Sequence, residues 1–89
     1  MGIFRALKQV LTGEVIQKID TTFDSGLSTI SLRLKRDRGS EERYVVLAAS
    51  STGNMQYHVF ERDEFEQFSQ AVDSIRSSLR QAPPLNYKT

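Results

Sequence analysis

The segment from Asp63 to Arg80 constrains the fold more than any other part of the chain, because it carries the one strongly periodic apolar pattern. Its large apolar residues are spaced three, four, three and four positions apart, which places them on one stripe of a helix. They are Phe65, Phe68, Val72, Ile75 and Leu79. A helix of about five turns cannot bury such a stripe alone, so the pattern predicts that it lies on a flat apolar surface.

Both ends of this helix carry recognisable signals. Asp63 is placed to be the N-cap, and Glu66, three residues on, can complete a capping box. At the other end, Arg76 and Arg80 suit the negative end of the helix dipole, and Pro83 is the first of two prolines that forbid continuation. We therefore expect the helix to end near residue 80.

Four segments ahead of this helix have strand patterns, at residues 14–23, 30–35, 44–49 and 55–61. The second alternates most clearly, so one face is predicted to be core and the other exposed. The core face is predicted to carry Ile30, Leu32 and Leu34, and the exposed face Ser31, Arg33 and Lys35. The third segment is nearly continuous in apolar residues, which is typical of a central strand covered on both faces.

The first residues of the chain have a different pattern. Apolar side chains over residues 2–12 predict a short N-terminal helix that ends at Gly13. These apolar residues are Ile3, Phe4, Leu7, Val10 and Leu11. Such a helix can pack on the domain or a second subunit, or it can lie in a membrane surface; we favour the first, because two cations, Arg5 and Lys8, are few for an electrostatic anchor.

Together these segments predict an α+β fold: a four- to five-stranded antiparallel curved sheet, one C-terminal amphipathic helix and a short N-terminal helix. Residues 1–82 are expected to form a single domain and residues 83–89 a flexible tail. A chain of 89 residues has a small core, so a homodimer that buries further apolar surface is expected. The predicted dimer interface is the helix stripe of Phe65, Phe68, Val72, Ile75 and Leu79.

Composition argues against several function classes. The chain has no cysteine and a single histidine, His58, and it contains no metal-ligand spacing, nucleophile motif or glycine-rich phosphate loop. We therefore expect a protein that is not an enzyme and that has no metal or cofactor. The sequence contains no apolar run of about 20 residues, so we expect an intracellular protein, cytoplasmic or nuclear, with no membrane association.

The predicted exposed face of the sheet carries the candidate binding residues. A net charge of +1 is too low to indicate nucleic-acid binding by itself, so a basic site requires segregated charge. Cations interleaved with an aromatic ring on an exposed sheet suit a single-stranded nucleic acid, because the charges meet phosphates and the ring stacks on a base. The candidate residues are Lys18, Arg33, Lys35, Arg36, Arg38, Arg43 and Tyr44.

The stretch from Ile30 to Leu79 resembles a PUR repeat, in which curved antiparallel strands are followed by one helix. The likeness lies in a strand of alternating charge (ISLRLKRD), a strand after a charged turn (RYVVLAASS) and a strand that enters the helix through acidic residues and two phenylalanines (YHVFERDEFEQF). Whirly and p15-type coactivator proteins share a similar plan. The resemblance implies binding of single-stranded DNA or RNA by the sheet, with Arg33, Lys35 and Tyr44 as binding residues, and pairing of two repeats through their helices.

Two other interpretations remain open from the sequence. One is a pleckstrin-homology-like module in which the basic loop from Lys35 to Arg43 meets a peptide or an anionic lipid, although that fold needs more strands than this chain offers. The other is a structural assembly subunit that binds only its own copies.

Overall fold

The computed structural model describes residues 12–82, which form four strands followed by a helix. The elements are β1 Glu14–Phe23, β2 Ser28–Arg36, β3 Arg43–Ser51, β4 Asn54–Phe60 and α1 Arg62–Gln81. The predicted antiparallel sheet and C-terminal helix are confirmed. The predicted N-terminal helix and the predicted tail at 83–89 lie outside the described residues.

The sheet is a simple meander in the order β1-β2-β3-β4, with each strand antiparallel to the next. A bulge between Val15 and Gln17 adds one residue to β1. The β3–β4 hairpin turns through Thr52 and Gly53, both at positive φ, as a tight two-residue hairpin favours. In the β2–β3 loop the Asp37 carboxylate accepts hydrogen bonds from the backbone N–H groups of Gly39 (3.1 Å) and Ser40 (2.8 Å). This loop fixes the register of β2 on β3.

The register defines two faces of the sheet. The cation face carries Lys18 opposite Arg33, Lys35 opposite Tyr44, and Ser31 opposite Ala48, which in turn lies opposite Tyr57. The helix face carries Ile19 opposite Leu32, and Leu34 opposite Val45, which lies opposite Phe60. Successive residues of each strand therefore point to opposite faces of the sheet, as strand geometry requires.

The prediction of which face is exposed is wrong for several residues. Ser31, Lys35 and Tyr44, on the face predicted to be exposed, each retain only 4% of their accessible surface, whereas Ile30, on the predicted core face, is exposed. β3 is apolar on both faces, and the register places its residues Tyr44 and Val46 on the cation face, beside Lys35 and Arg33. Apolar groups on this face favour its burial, which the alternation of β2 alone does not indicate.

The N-cap of α1 lies two residues before the predicted one. Glu61 occupies the N-cap position, and the side chain of Glu64 accepts a hydrogen bond from the Glu61 backbone N–H (2.9 Å). Asp63 and Glu66, predicted as the capping pair, instead lie inside the first two turns. An acid followed by glutamate three residues later occurs both at Glu61 and at Asp63. Because β4 ends at Phe60, the pair of Glu61 and Glu64 lies next to the first free backbone amides of the helix.

The apolar stripe of α1 packs on the sheet only at its beginning. The ring of Phe60 stacks on Phe68 with centroids 4.9 Å apart and meets Phe65 edge-on at 5.7 Å. Further along α1, exposure rises from 36% at Phe68 to 47% at Val72, 70% at Ile75 and 73% at Leu79. The flat apolar surface predicted for this stripe is therefore present, within residues 12–82, only beneath the beginning of α1.

Candidate binding surfaces

A cleft of about 430 Å³ opens on the helix face, between the first turns of α1 and the strands β1 and β2. Its walls are apolar side chains from three strands and the helix, with charged groups from Arg43, Arg62 and Glu66 also lining it. The apolar walls are Ile19, Leu32, Leu34, Val45 and Phe65. The cleft exists because α1 packs mainly on β3 and β4 and leaves the β1–β2 side of the helix face open.

The uncovered part of the helix face continues beyond this cleft. Ile19, Phe23 and Ile30 are all exposed on this face. Ile19 lies opposite Leu32, and Phe23 lies further along β1, opposite Ser28. Apolar side chains on a continuous face cost free energy when they stay in water, at about 25 cal/mol per Å². The open helix face and the outer half of the α1 stripe are thus two apolar surfaces left exposed in the described part of the chain.

Of the seven predicted nucleic-acid-binding residues, four come together on the cation face: Lys18, Arg33, Lys35 and Tyr44. Lys35 and Tyr44 are buried there, with the Tyr44 hydroxyl donating to the backbone carbonyl of Thr12 (3.3 Å). Burial lowers the pKa of the Lys35 ammonium below its ordinary 10.5, and the nearby Arg33 lowers this pKa further. Both groups are therefore buried at positions that the sequence predicts to be exposed.

Two of these cations remain accessible on the cation face. Arg33 is partly exposed and its Nε donates to the Ser31 hydroxyl (3.3 Å). Lys18 is exposed, and its Nζ lies 3.8 Å from an Asp20 carboxylate oxygen, also in water. An exposed pair of this kind contributes between zero and about 1 kcal/mol, so it leaves Lys18 available to a phosphate.

The other three predicted cations lie at the ends of β2 and β3. Arg36 forms ion pairs with Glu14 and, at 3.6 Å, with Glu41. Arg38 and Arg43 are exposed, and neither forms an ion pair within residues 12–82. The structure thus separates the predicted site into a pair on the sheet and a pair near the β2–β3 loop.

Sequence reasoning missed two parts of these surfaces. Tyr57 is 47% exposed and shares the cation face through its pairing with Ala48. Tyr57 and Val59 are two residues apart in β4, so they point to the same face. Once the register of the β3–β4 hairpin is known, this spacing places Tyr57 on the cation face. The cleft has no comparable sequence signal, because it depends on where α1 crosses the sheet.

Residues 12–82 contain no cluster of three or more acidic or histidine side chains that could hold a metal ion. His58 is exposed on β4, and its ring lies 4.5 Å from that of Phe60. In the described part of the chain, no helix has the length and apolar character to cross a bilayer.

Comparison with protein-family models gives no match for this chain, and searches of curated proteins and of solved structures return no significant match either. The resemblance to a PUR repeat therefore stays a prediction.

Proposed function

We propose that the protein is a non-catalytic module that works as a homodimer, held together by the apolar stripe of α1. The observation that carries this proposal is the rise in exposure along the stripe to 73% at Leu79. A helix of 20 residues is about 30 Å long, whereas a four-stranded sheet is only about 19 Å wide. Within residues 12–82, no surface covers the outer half of α1.

A second copy provides the surface that the protomer lacks. The helix face of the partner is apolar and open on its β1–β2 side, so its chemistry matches that of the outer stripe. A twofold arrangement buries the same patch on both copies, which is the commonest symmetry of soluble oligomers. Each copy then covers what the other leaves exposed.

Sedimentation equilibrium of the full chain tests this proposal. The protomer has a mass of 10.1 kDa, so a dimer in the micromolar range gives a mass near twice that value. A mass of 10.1 kDa throughout this range rejects the homodimer.

Single-stranded DNA or RNA is the ligand we propose for this dimer, bound through the cation face. The supporting observation is that Lys18 and Arg33 pair across two strands, while the exposed ring of Tyr57 lies on the same face. Cations there meet phosphates and the ring stacks on a base. A pleckstrin-homology-like module is less well supported, because residues 12–82 hold four strands and that fold needs seven.

Fluorescence anisotropy with a labelled single-stranded oligonucleotide, at about 50 and 200 mM salt, tests this ligand. Arg33→Ala is expected to weaken binding and flatten the salt dependence, because it removes a phosphate contact. Tyr57→Ala is expected to weaken binding at an unchanged salt slope. Ser77→Ala, an exposed position on the side of α1 opposite the stripe, serves as the control. Wild-type protein that does not bind at the lower salt concentration overturns this assignment.

A further inference from the structure

The apolar stripe of α1 is symmetric about its central residue, Val72. Counted from Val72, the stripe extends by four and seven residues towards the N-terminus and by three and seven towards the C-terminus. In two antiparallel helices related by a twofold axis at Val72, a residue seven positions before the axis faces one seven positions after it. Phe65 of each copy then faces Leu79 of the other.

The charges of α1 favour the same orientation. Its first turns carry the acids Asp63, Glu64 and Glu66 against one cation, Arg62. Its last turns carry Arg80 and Arg76, the second of which pairs with Asp73 at 2.7 Å. An antiparallel pair places the basic end of one helix beside the acidic end of the other, and the symmetry repeats this contact. A parallel pair would place like charges together at both ends, which is unfavourable.

The antiparallel orientation also brings the end of the partner's helix close to the cleft on the helix face. Phe65 lines the cleft from the side of the helix, and Leu32 and Leu34 line it from β2. The residue that faces Phe65 in the antiparallel pair is the partner's Leu79, which is the most exposed position of the stripe. The opening of the cleft is therefore in reach of the partner's last helical turn.

We infer that two copies pack their α1 helices antiparallel about Val72, and that Leu79 of each copy fills the cleft of the other beside Phe65 and Leu32. This inference rests on the proposed homodimer and adds its register and the occupant of the cleft. The cleft is incomplete in one protomer, because its open side is closed only by the second copy.

Cysteine cross-linking tests this arrangement, since the chain contains no cysteine of its own. Disulfides require Cα atoms within about 7 Å of each other. The Val72→Cys variant is expected to form a disulfide with its own copy, because the twofold axis brings the two positions together. The Leu79→Cys variant is expected to form none with itself, since 14 residues of helix, about 21 Å, separate the two copies of that position in an antiparallel pair.

A mixture of Leu32→Cys and Leu79→Cys proteins tests the occupant of the cleft. A short bismaleimide is expected to join the two chains, whereas a mixture of Leu27→Cys and Leu79→Cys, with Leu27 exposed in the turn before β2, stays unlinked. Sedimentation of each variant before cross-linking shows that it is still dimeric.

The results separate failure of the inference from failure of the homodimer. A dimeric Leu79→Cys protein that links to itself overturns the antiparallel register. A dimer without the Leu32–Leu79 cross-link, or a small molecule that native mass spectrometry finds bound in place of the partner, overturns the occupant. Variants and wild type that are all monomeric reject the homodimer itself.

Discussion

Four aromatic rings meet where β4 passes into α1. Phe60 lies between His58 (4.5 Å), Phe65 (5.7 Å) and Phe68 (4.9 Å), measured between ring centroids. Phe60 is the one buried member of the group. It therefore couples the end of the sheet to the start of the helix.

Phe60→Ala is expected to lower the free energy of unfolding by about 3–5 kcal/mol, because it leaves a cavity where three rings converge. Met55→Ala, on an exposed position of the same strand, is expected to change it by less than about 0.5 kcal/mol. Chemical denaturation measures both. Equal losses for the two variants would show that the aromatic group does not hold α1 on the sheet.

Position 13 requires glycine because of its contact with Tyr44 as well as its backbone angle. It has φ +85°, and a Cβ atom at this position would overlap the hydroxyl oxygen of Tyr44. Gly53 has a similar φ of +88° and nothing within 4 Å of its Cβ position. Substituting alanine at Gly53 therefore measures the cost of the backbone angle alone, whereas the same change at Gly13 adds the cost of the contact with Tyr44.

Gly53→Ala is expected to cost about 1–2 kcal/mol, which is the cost of a left-handed conformation for a residue with a side chain. Gly13→Ala is expected to cost more, since Tyr44 must also move. In the Tyr44→Phe background, which removes the hydroxyl, the additional cost of Gly13→Ala should shrink. A Gly13→Ala cost that matches that of Gly53→Ala in thermal denaturation would contradict the contact.

The buried Lys35 makes a pH-dependent contribution to stability. The unfolded chain holds the lysine proton up to its ordinary pKa of 10.5, whereas the folded chain releases it at a lower pH because burial and Arg33 disfavour the charge. Between these two pKa values the unfolded state binds more protons, so this residue makes stability rise with pH.

Lys35→Met is expected to stabilise the protein at pH 7 and to remove that rise. Chemical denaturation of the wild type and of Lys35→Met from pH 7 to 10.5 measures the difference between their free energies of unfolding. Both proteins contain Tyr44, so its contribution cancels in this difference. Tyr44 acts in the opposite direction, because burial and Asp37 raise its pKa above 10.0. A constant difference between the two proteins over the whole range would show that Lys35 titrates alike in both states.

The start of α1 is set by Glu61 and Glu64 rather than by the residues that the sequence favours. Glu64→Ala is expected to cost about 0.5–1 kcal/mol more than Glu66→Ala, since only Glu64 accepts the Glu61 backbone N–H. Both variants lose an acid from the first turns of the helix, so the dipole effect is similar. A larger loss for Glu66→Ala in chemical denaturation would restore the predicted cap at Asp63.

The elements themselves were predictable, because each has a local signal. Strand alternation, the turn residues after Phe23 and Ser51, and the apolar spacing of α1 depend on neighbours in sequence. The burial of Lys35 was not predictable from β2 alone, because the face that it shares with Tyr44 and Val46 is defined only by the register with β3. The long aliphatic stem of lysine tolerates such burial, so its charge is a poor guide to the exposed face.

The candidate site was predictable only in part for the same reason. Lys18 and Arg33 share a face through the β1–β2 register, as alternation suggests, but Arg36 is held by Glu14 and Glu41. The cleft depends on the angle at which α1 leaves the sheet, which no local pattern specifies. Long-range packing decides both features.

The molecule as a whole is open for its size. Its Cα radius of gyration is 16.2 Å, against about 12 Å for a compact domain of this length. The exposed apolar side chains of the α1 stripe and of the open helix face are those that the proposed homodimer covers.

The most direct test of the dimer compares the masses of two helix variants by sedimentation equilibrium. Ile75→Glu places a charge on the exposed stripe, and Ser77→Glu places the same charge on the opposite side of α1, in the same turn. We expect Ser77→Glu to keep a mass near twice 10.1 kDa and Ile75→Glu to fall to the protomer mass while its circular dichroism stays that of a folded chain. Two variants with the same mass would contradict the assignment of the α1 stripe as the surface that joins the copies.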